Sequence, residues 1–255
     1  MKIVLILLWQ ISQNSDIIVS RKLEGFCNLT KFGGITMENI ETLFDLNHTM
    51  AAPLFRGVDE PWKILPKIKE FILTLGANLP KENYDHPAPD VWISKYAKVA
   101  PTACIIGPCI IGAESEVRHG AFIRGSVLVG SCCVVGNSTE LKNVILFDRV
   151  QVPHYNYVGD SILGYCSHMG AGAITSNVKS DKTLVTVQDG EQKLETGLKK
   201  FGAILGDHVE IGCNSVLNPG TVIGCHTNVY PLSFVRGFVP SHSIYKRQGE
   251  VAEKQ

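Results

Sequence analysis

Between Arg124 and Lys182 the chain gathers residue types able to take up a proton and to hold an anion. VGNSTELKN (135–143) carries Asn137, Glu140 and Lys142, VPHYNYVGD (152–160) carries His154 and Tyr157, and GAGAITSN (170–177) places a run of small residues before Asn177. An imidazole titrates near neutral pH and can take a proton from an attacking nucleophile, and a nearby carboxylate can orient it. Lysine, arginine and a phenol can hold a phosphate through charge-assisted hydrogen bonds, and a Gly/Ala-rich backbone lets a ligand approach closely. Together these residues describe a polar cleft with a base, a carboxylate and cations for a phosphate. A histidine outside such a context is more simply a surface or stacked residue, and His119, His208, His226 and His242 are read that way. Glu140 has its own plain alternative, a weak exposed pair with Lys142 or Arg124.

The elements that must position these residues follow a period of six. Aliphatic side chains recur at Ile93, Val99, Ile105, Ile111, Val117, Ile123, Val129, Val135 and Leu141, and again at Leu205, Ile211, Leu217, Ile223, Val229 and Val235. Neither a helix nor a simple alternating strand has that spacing; a coil of three short strands, each sending one side chain to the axis, does. Leu163-Gly164 and Met169-Gly170 keep the step after one slip near Val158. The expected fold class is therefore mainly β, a parallel β-helix of hexapeptide repeats over residues 89–240. Residues 178–200 break the hexad, and TLVTV followed by QDGEQ predicts a hairpin that covers the site or reaches an adjacent subunit.

Before the repeat, Ile64, Leu65, Ile68, Phe71, Ile72 and Leu75 follow helical spacing, with Gly76 placed to stop the helix. Residues 37–88 are read as a helical appendage that covers the open first coil near Val91 and Trp92, the alternative being an oligomer or partner contact. The segment MKIVLILLWQ resembles the start of a signal peptide, but it lacks a small-residue cleavage site and is too short to span a bilayer. Met37 opens a coherent stretch, so residues 1–36 are expected to be a non-native or disordered extension, and 241–255 a C-terminal tail. The 24 basic residues balance the 24 acidic ones, which gives no reason to expect nucleic acid or an anionic membrane surface as a partner. Eight cysteines without a CxxC pair or zinc spacing fit small apolar residues in a reducing cytoplasm, with no structural metal.

VGNSTELK, HYNYVGD and MGAGAITSN resemble the C-terminal left-handed β-helix domain of the bifunctional UDP-N-acetylglucosamine pyrophosphorylase and glucosamine-1-phosphate N-acetyltransferase family, over roughly residues 117–240. ETGLKKFGAILGD is similar to the archaeal bifunctional sugar-1-phosphate nucleotidyltransferase and acetyltransferase relatives. The resemblance implies a left-handed helix, a homotrimer with sites between neighbouring prisms, acetyl-CoA as co-substrate and an amino-sugar 1-phosphate as acceptor. It makes His154 the general base, with Glu140 and Asn177 orienting it or contacting the sugar. It assigns the sugar phosphate to Arg124, Lys142, Tyr157 and Lys182, with His168 near the acceptor. Ala171, Cys213, Pro231 and Arg247, the last together with Lys246, take the positions along the cofactor. His168 stands where the bacterial enzymes have Asn, Val178 where they have Tyr, Cys213 where they have Ser and Pro231 where they have Ala.

Residues 37–90 are too few for a doubly wound nucleotide-binding domain and contain no Gly-rich phosphate loop, so a pyrophosphorylase activity is not expected of this chain. Two other classes compete with the acetyltransferase. Hexapeptide carbonic anhydrases hold zinc with three histidines, but His119, His154 and His168 lack that family's close pair. A non-catalytic sugar-nucleotide-binding or scaffold protein would keep the fold and drop the activity, and the departures at His168 and Val178 favour it.

Overall fold

A computed structural model describes residues 37–254; the expected extension over 1–36 lies outside the described residues. From Val91 onward the chain winds into a left-handed parallel β-helix whose short strands stack in three ladders. In the first ladder Val91, Cys109, Val127, Val144 and Ser161 pair in succession. The second runs Cys104, Phe122, Glu140, Tyr157, Ile174, Val216 and Phe234. The third runs Lys98, Glu116, Val134, Gln151, His168, Glu210, Asn228 and Ile244. The hexad residues from Ile111 to Leu141 point to the axis and are almost wholly buried, as are Leu163, Met169 and Leu205 to Val235. Stacking in this way pairs the backbone of every coil with the coils above and below it.

Eighteen residues separate Cys109 from Val127, but seventeen separate Val127 from Val144 and Val144 from Ser161. The expected single slip near Val158 is thus the second of two five-residue steps, Leu141 to Leu146 and Val158 to Leu163. Phe147 hides the first in the sequence, because it puts a buried apolar residue where an unbroken hexad would have one. With one residue fewer at the corner, the strands Glu140–Leu146 and Tyr157–Leu163 run straight through it and join two faces. Glu140–Leu146 accordingly pairs with both Phe122–Ile123 and Val127–Val129.

The appendage differs from the expected end cap. Pro61–Lys67 is a 3-10 segment containing Pro66, and only Ile68–Ala77 is α-helical. Proline has no N–H to give to the preceding turn, so a single α-helix from Pro61 is not available. The helix runs past Gly76, whose role is contact rather than termination: a Cβ there would fall inside the Trp92 ring. The helix meets the first coil at Trp92, as expected, but it continues along the flank, touching the strands Cys109–Ile111, Val127–Val129 and Glu140–Leu146. The cause is a second apolar column one residue before the hexad position. Ile110, Leu128, Ile145, Ile162, Ile204 and Val222 alternate outward from the axis, yet all are fully buried. That face needs a cover, and Ile64, Leu65, Ile68 and Ile72 supply it. Phe44 and Phe55 pack on Phe147 at ring-centroid distances of 5.0 and 5.8 Å, and Trp62 packs on Phe201 at 5.9 Å.

Residues 178–200 contain the expected hairpin, Thr186–Asp189 antiparallel to Gln192–Glu195. Its first strand is seated on the same chain's coils, near Thr221–Ile223 and Phe238–Val239, with Val185 and Val187 buried. The Met37 backbone N–H donates to Asp189 Oδ2 at 2.8 Å, tying the start of the described chain to this hairpin. At the other end the stretch read as a tail extends the solenoid: Ser243–Arg247 pairs with Asn228–Val229 and then turns back along Glu250–Glu253. Tyr245, 4% exposed, takes the inward place there, which a count of aliphatic residues passes over.

Candidate functional site

The site residues gather around the corner between His154 and Tyr157, where the third ladder passes into the second. Strand Gln151–His154 ends there with His154 exposed, paired in register with Asn137 of the coil before. Asn156 makes the corner: it is buried, accepts the His154 backbone N–H at 3.1 Å, and donates from Nδ2 to Gly170 O at 2.9 Å and Ala173 O at 3.0 Å. One buried amide therefore locks the histidine turn to the GAGA loop of the next coil. Sequence reasoning missed Asn156; the available signal was an Asn two residues after a candidate base, at a strand-to-turn junction where its side chain can satisfy loop carbonyls.

Above His154 the chain builds a column. Gly172 N–H donates to His154 O at 3.0 Å, Asn214 N–H to Ala171 O at 2.9 Å, and Leu232 N–H to Cys213 O at 2.9 Å. Met169, Ile211, Val229 and Tyr245 are register partners, so Ala171, Cys213, Pro231 and Arg247, each two residues on, occupy one edge in four successive coils. The four positions named for the cofactor are thus brought into one line, with His154 at its foot. Cys213 and Pro231 are exposed. Arg247 Nε is held by Glu250 Oε2 at 2.7 Å, and Lys246 Nζ lies 3.7 Å from Glu250 Oε1.

Around the corner, Glu140 and Tyr157 are register partners, and Arg124 and Lys142 follow Ile123 and Leu141, which also pair. Two cations and a phenol are therefore stacked on adjoining coils. Arg124 Nη1 contacts Glu140 Oε1 at 2.5 Å, and this bond with the carboxylate's charge holds the guanidinium above its ordinary range. Burial raises the Tyr157 phenol, and the negative charges of Asp160 and Glu140 add to it, so the hydroxyl stays protonated and able to donate throughout the neutral range. Among the described residues the His154 ring makes no hydrogen bond, which leaves both nitrogens open to a ligand.

Asn177 lies one coil beyond Tyr157 and donates from Nδ2 to Tyr157 Oη at 3.3 Å and to Asp160 Oδ2. Asp160, which the sequence reading did not single out, is only 6% exposed. His168 is drawn elsewhere: it pairs in register with Glu210, and its Nδ1 lies 2.8 Å from Glu210 Oε2. Lys182 is exposed in the turn that follows Asn177, where its backbone N–H closes on Lys179 O, and no side-chain contact joins it to the corner among the described residues. His119 stands two coils before His154 in the third ladder, bonded to Thr102 Oγ1 at 2.7 Å. No group of three His, Cys, Asp or Glu arranged to hold a metal occurs among the described residues.

Residues 105–229 match the protein family described as GMPPB C-terminal domain. The bifunctional sugar-1-phosphate nucleotidylyltransferase/acetyltransferase of Sulfurisphaera tokodaii is 26% identical over 174 residues, covering 61% of this chain and 43% of that protein. The bifunctional protein GlmU of Methanococcus maripaludis is 30% identical over 204 residues, covering 79% of this chain and 49% of that protein. The chain spans about half the length, or less, of the curated relatives it matches. Among solved structures, a hexapeptide transferase family protein from Anaplasma phagocytophilum aligns with a TM-score of 0.43 at 17% identity, over 65% of this chain and 79% of that one.

Proposed function

As a left-handed β-helix relative of the GMPPB C-terminal domain and of the GlmU proteins, the chain has a site that can be read chemically, and we propose that it is an acetyl-CoA-dependent N-acetyltransferase acting on an amino-sugar 1-phosphate. The expected acceptor is glucosamine 1-phosphate, in UDP-N-acetylglucosamine biosynthesis. The observation that carries this reading is the placement of His154. It stands at the foot of the column Ala171, Cys213, Pro231, Arg247, with Arg124, Lys142 and Tyr157 one corner away. A thioester lying along the column and a sugar phosphate held by the cations and the phenol would meet beside its imidazole.

In that arrangement the His154 ring accepts a proton from the acceptor's amine as the nitrogen attacks the acetyl carbonyl carbon. The C–N bond forms, the carbon–sulfur bond breaks, and the departing thiolate of CoA takes up a proton. Arg124 exchanges part of its bond with Glu140 for the phosphate, while Lys142 and the Tyr157 hydroxyl complete the anion's hydrogen bonds. Arg124 is exposed and Lys142 half-buried in the single chain, and a homotrimer in which a neighbouring prism closes over them would shield these contacts from water. A cytoplasmic setting supplies acetyl-CoA and keeps the cysteines reduced.

The test is release of free CoA thiol by the purified protein given acetyl-CoA with glucosamine 1-phosphate or galactosamine 1-phosphate. Turnover with either supports the reading. No turnover with both, together with an unchanged melting temperature in acetyl-CoA, overturns it. A second reading, a binding protein without turnover, is favoured by the engagement of His168 with Glu210 and by Val178; it expects a melting shift with a sugar nucleotide and no thiol release.

A further inference from the structure

The two five-residue steps place Asn143 and Asp160 at the shortened corner, each in the left-handed region, with φ of 54° and 48°. Asn and Asp tolerate that region better than other residues carrying a Cβ. Because Leu141 pairs with Val158, and Tyr157 with Ile174, residues 143, 160 and 177 stack in one column. Their side chains form a directed chain of hydrogen bonds. Asn143 Nδ2 donates to Leu65 O at 3.3 Å and to Asp160 Oδ1 at 2.9 Å, and Asn177 Nδ2 donates to Asp160 Oδ2 and to Tyr157 Oη. Asp160 has no cationic partner among the described residues, so its buried charge is met by amide donors alone. Burying a carboxylate on such terms is costly for the fold, and an apolar corner residue would avoid the cost.

We propose that Asp160 is a positioning residue that sets the hydrogen-bond direction of Asn177 and Tyr157, and through them the class of acceptor; this rests on the acetyltransferase reading above. A carboxylate oxygen can face only the NH2 side of the Asn177 amide, because oxygen against oxygen would repel. Both Asn177 amide hydrogens are then used, one on Asp160 and one on Tyr157 Oη, and the group keeps only its carbonyl oxygen for a ligand. Tyr157 Oη, accepting from Asn177, keeps its own O–H to give. The pair therefore offers one acceptor and one donor in a fixed order. It fits a substrate that presents an N–H or O–H to Asn177 and an anionic oxygen to Tyr157, as an amino-sugar phosphate does. A substrate with those roles reversed is refused. The appendage takes part, since Leu65 O anchors the far end of the ladder.

The experiment compares wild type with Asp160→Asn and Asn177→Asp. In protein labelled with 15N-asparagine, the Asn177 side-chain amide should give two resolved, slowly exchanging protons in the wild type and lose them in Asp160→Asn. Free exchange in the wild type overturns the ladder, whatever the activity. In thiol-release kinetics both variants should lower kcat/KM for the amino-sugar phosphate by about tenfold to a hundredfold, the range for a hydrogen bond to a charged group. The KM for acetyl-CoA should stay unchanged, which a general loss of structure would not permit. Asn177→Asp sets a second carboxylate against Asp160 and is as open to misfolding as Asp160→Asn; if neither variant folds, the wild-type amide spectrum still decides the ladder. Wild-type kcat/KM in a folded variant overturns the proposal. A wild type that acetylates no amino-sugar phosphate overturns the acetyltransferase reading, and the amide spectrum then decides the ladder by itself.

Discussion

Gly136 precedes Asn137 in the coil under His154, and a Cβ built on it would lie within bonding range of the Pro153 backbone, one residue before the proposed base. Its φ is not in the left-handed region, so Gly136→Ala tests the close approach of two coils and not backbone strain. The obstruction is main chain, which cannot swing aside as a side-chain tip would. The Gln151–His154 strand must therefore retreat, against its pairing at Val134, Val135 and Asn137 and the Asn156 bonds to Gly170 and Ala173. Overpacking of this kind costs about 1–3 kcal/mol. For a chain of this size each kcal/mol is worth about 2–4 °C, so the melting temperature should fall by about 2–12 °C. The same retreat displaces His154, and a shift of about 1 Å in a reacting group can cost about a hundredfold in rate. Thermal and urea unfolding followed by circular dichroism read the first effect and thiol release the second. A Gly136→Ala protein with the wild-type urea midpoint would show that the coils do not meet as closely as described, and the reasoning from coil contact to base position would fall with it.

Replacing His154 by Ala should lower kcat by about a hundredfold to ten-thousandfold, as loss of a general base does, while the melting temperature holds because the ring is exposed and makes no hydrogen bond among the described residues; a variant that keeps wild-type turnover removes His154 from the chemistry. On the covered flank, Ile145→Ala should cost about 2–5 kcal/mol in urea unfolding, whereas Ile106→Ala, at a half-exposed residue, should stay within about 0.5 kcal/mol. Equal costs would mean that the appendage does not bury this face. Burial, and then the stacked rings of His208 and His242 at 4.7 and 4.9 Å and the charge of Lys254, push the His226 imidazole below its ordinary value. A depressed folded value means that stability is fully present above the unfolded value of about 6.5 and is lost as pH falls through the folded value. The urea midpoint should therefore drop on acidification below that range in the wild type and drop less in His226→Asn; equal slopes would exclude this ring as a source of acid sensitivity.

The hexad from Ile111 to Val235 was legible because one residue in six is forced inward by the coil, and that demand leaves a mark on the sequence at fixed spacing. The hairpin after Asn177 was legible for a similar local reason, a β-rich run followed by a turn. The appendage was legible only as an apolar face in search of a surface. Its true surface is the column Ile110, Leu128, Ile145, Ile162, Ile204 and Val222. Those residues sit next to the hexad and read as part of the same apolar runs, so their outward direction could not be told from their type. The first short coil was likewise masked, by Phe147 standing in the expected phase.

Among the candidate site residues, the sequence by itself determined which types recur around the corner, His154, Tyr157, Arg124, Lys142 and Asn177, since each is a local choice that a regular coil does not require. Only the tertiary structure decided who faces whom. It lined up Ala171, Cys213, Pro231 and Arg247 on one edge, turned His168 toward Glu210, and bonded Asn156 to Gly170 and Asp160 to Asn177. The reason is the length of a coil. Residues paired in register between coils in this fold lie sixteen to eighteen residues apart, or farther across the hairpin insertion, and one missing residue at a corner changes which side chains meet.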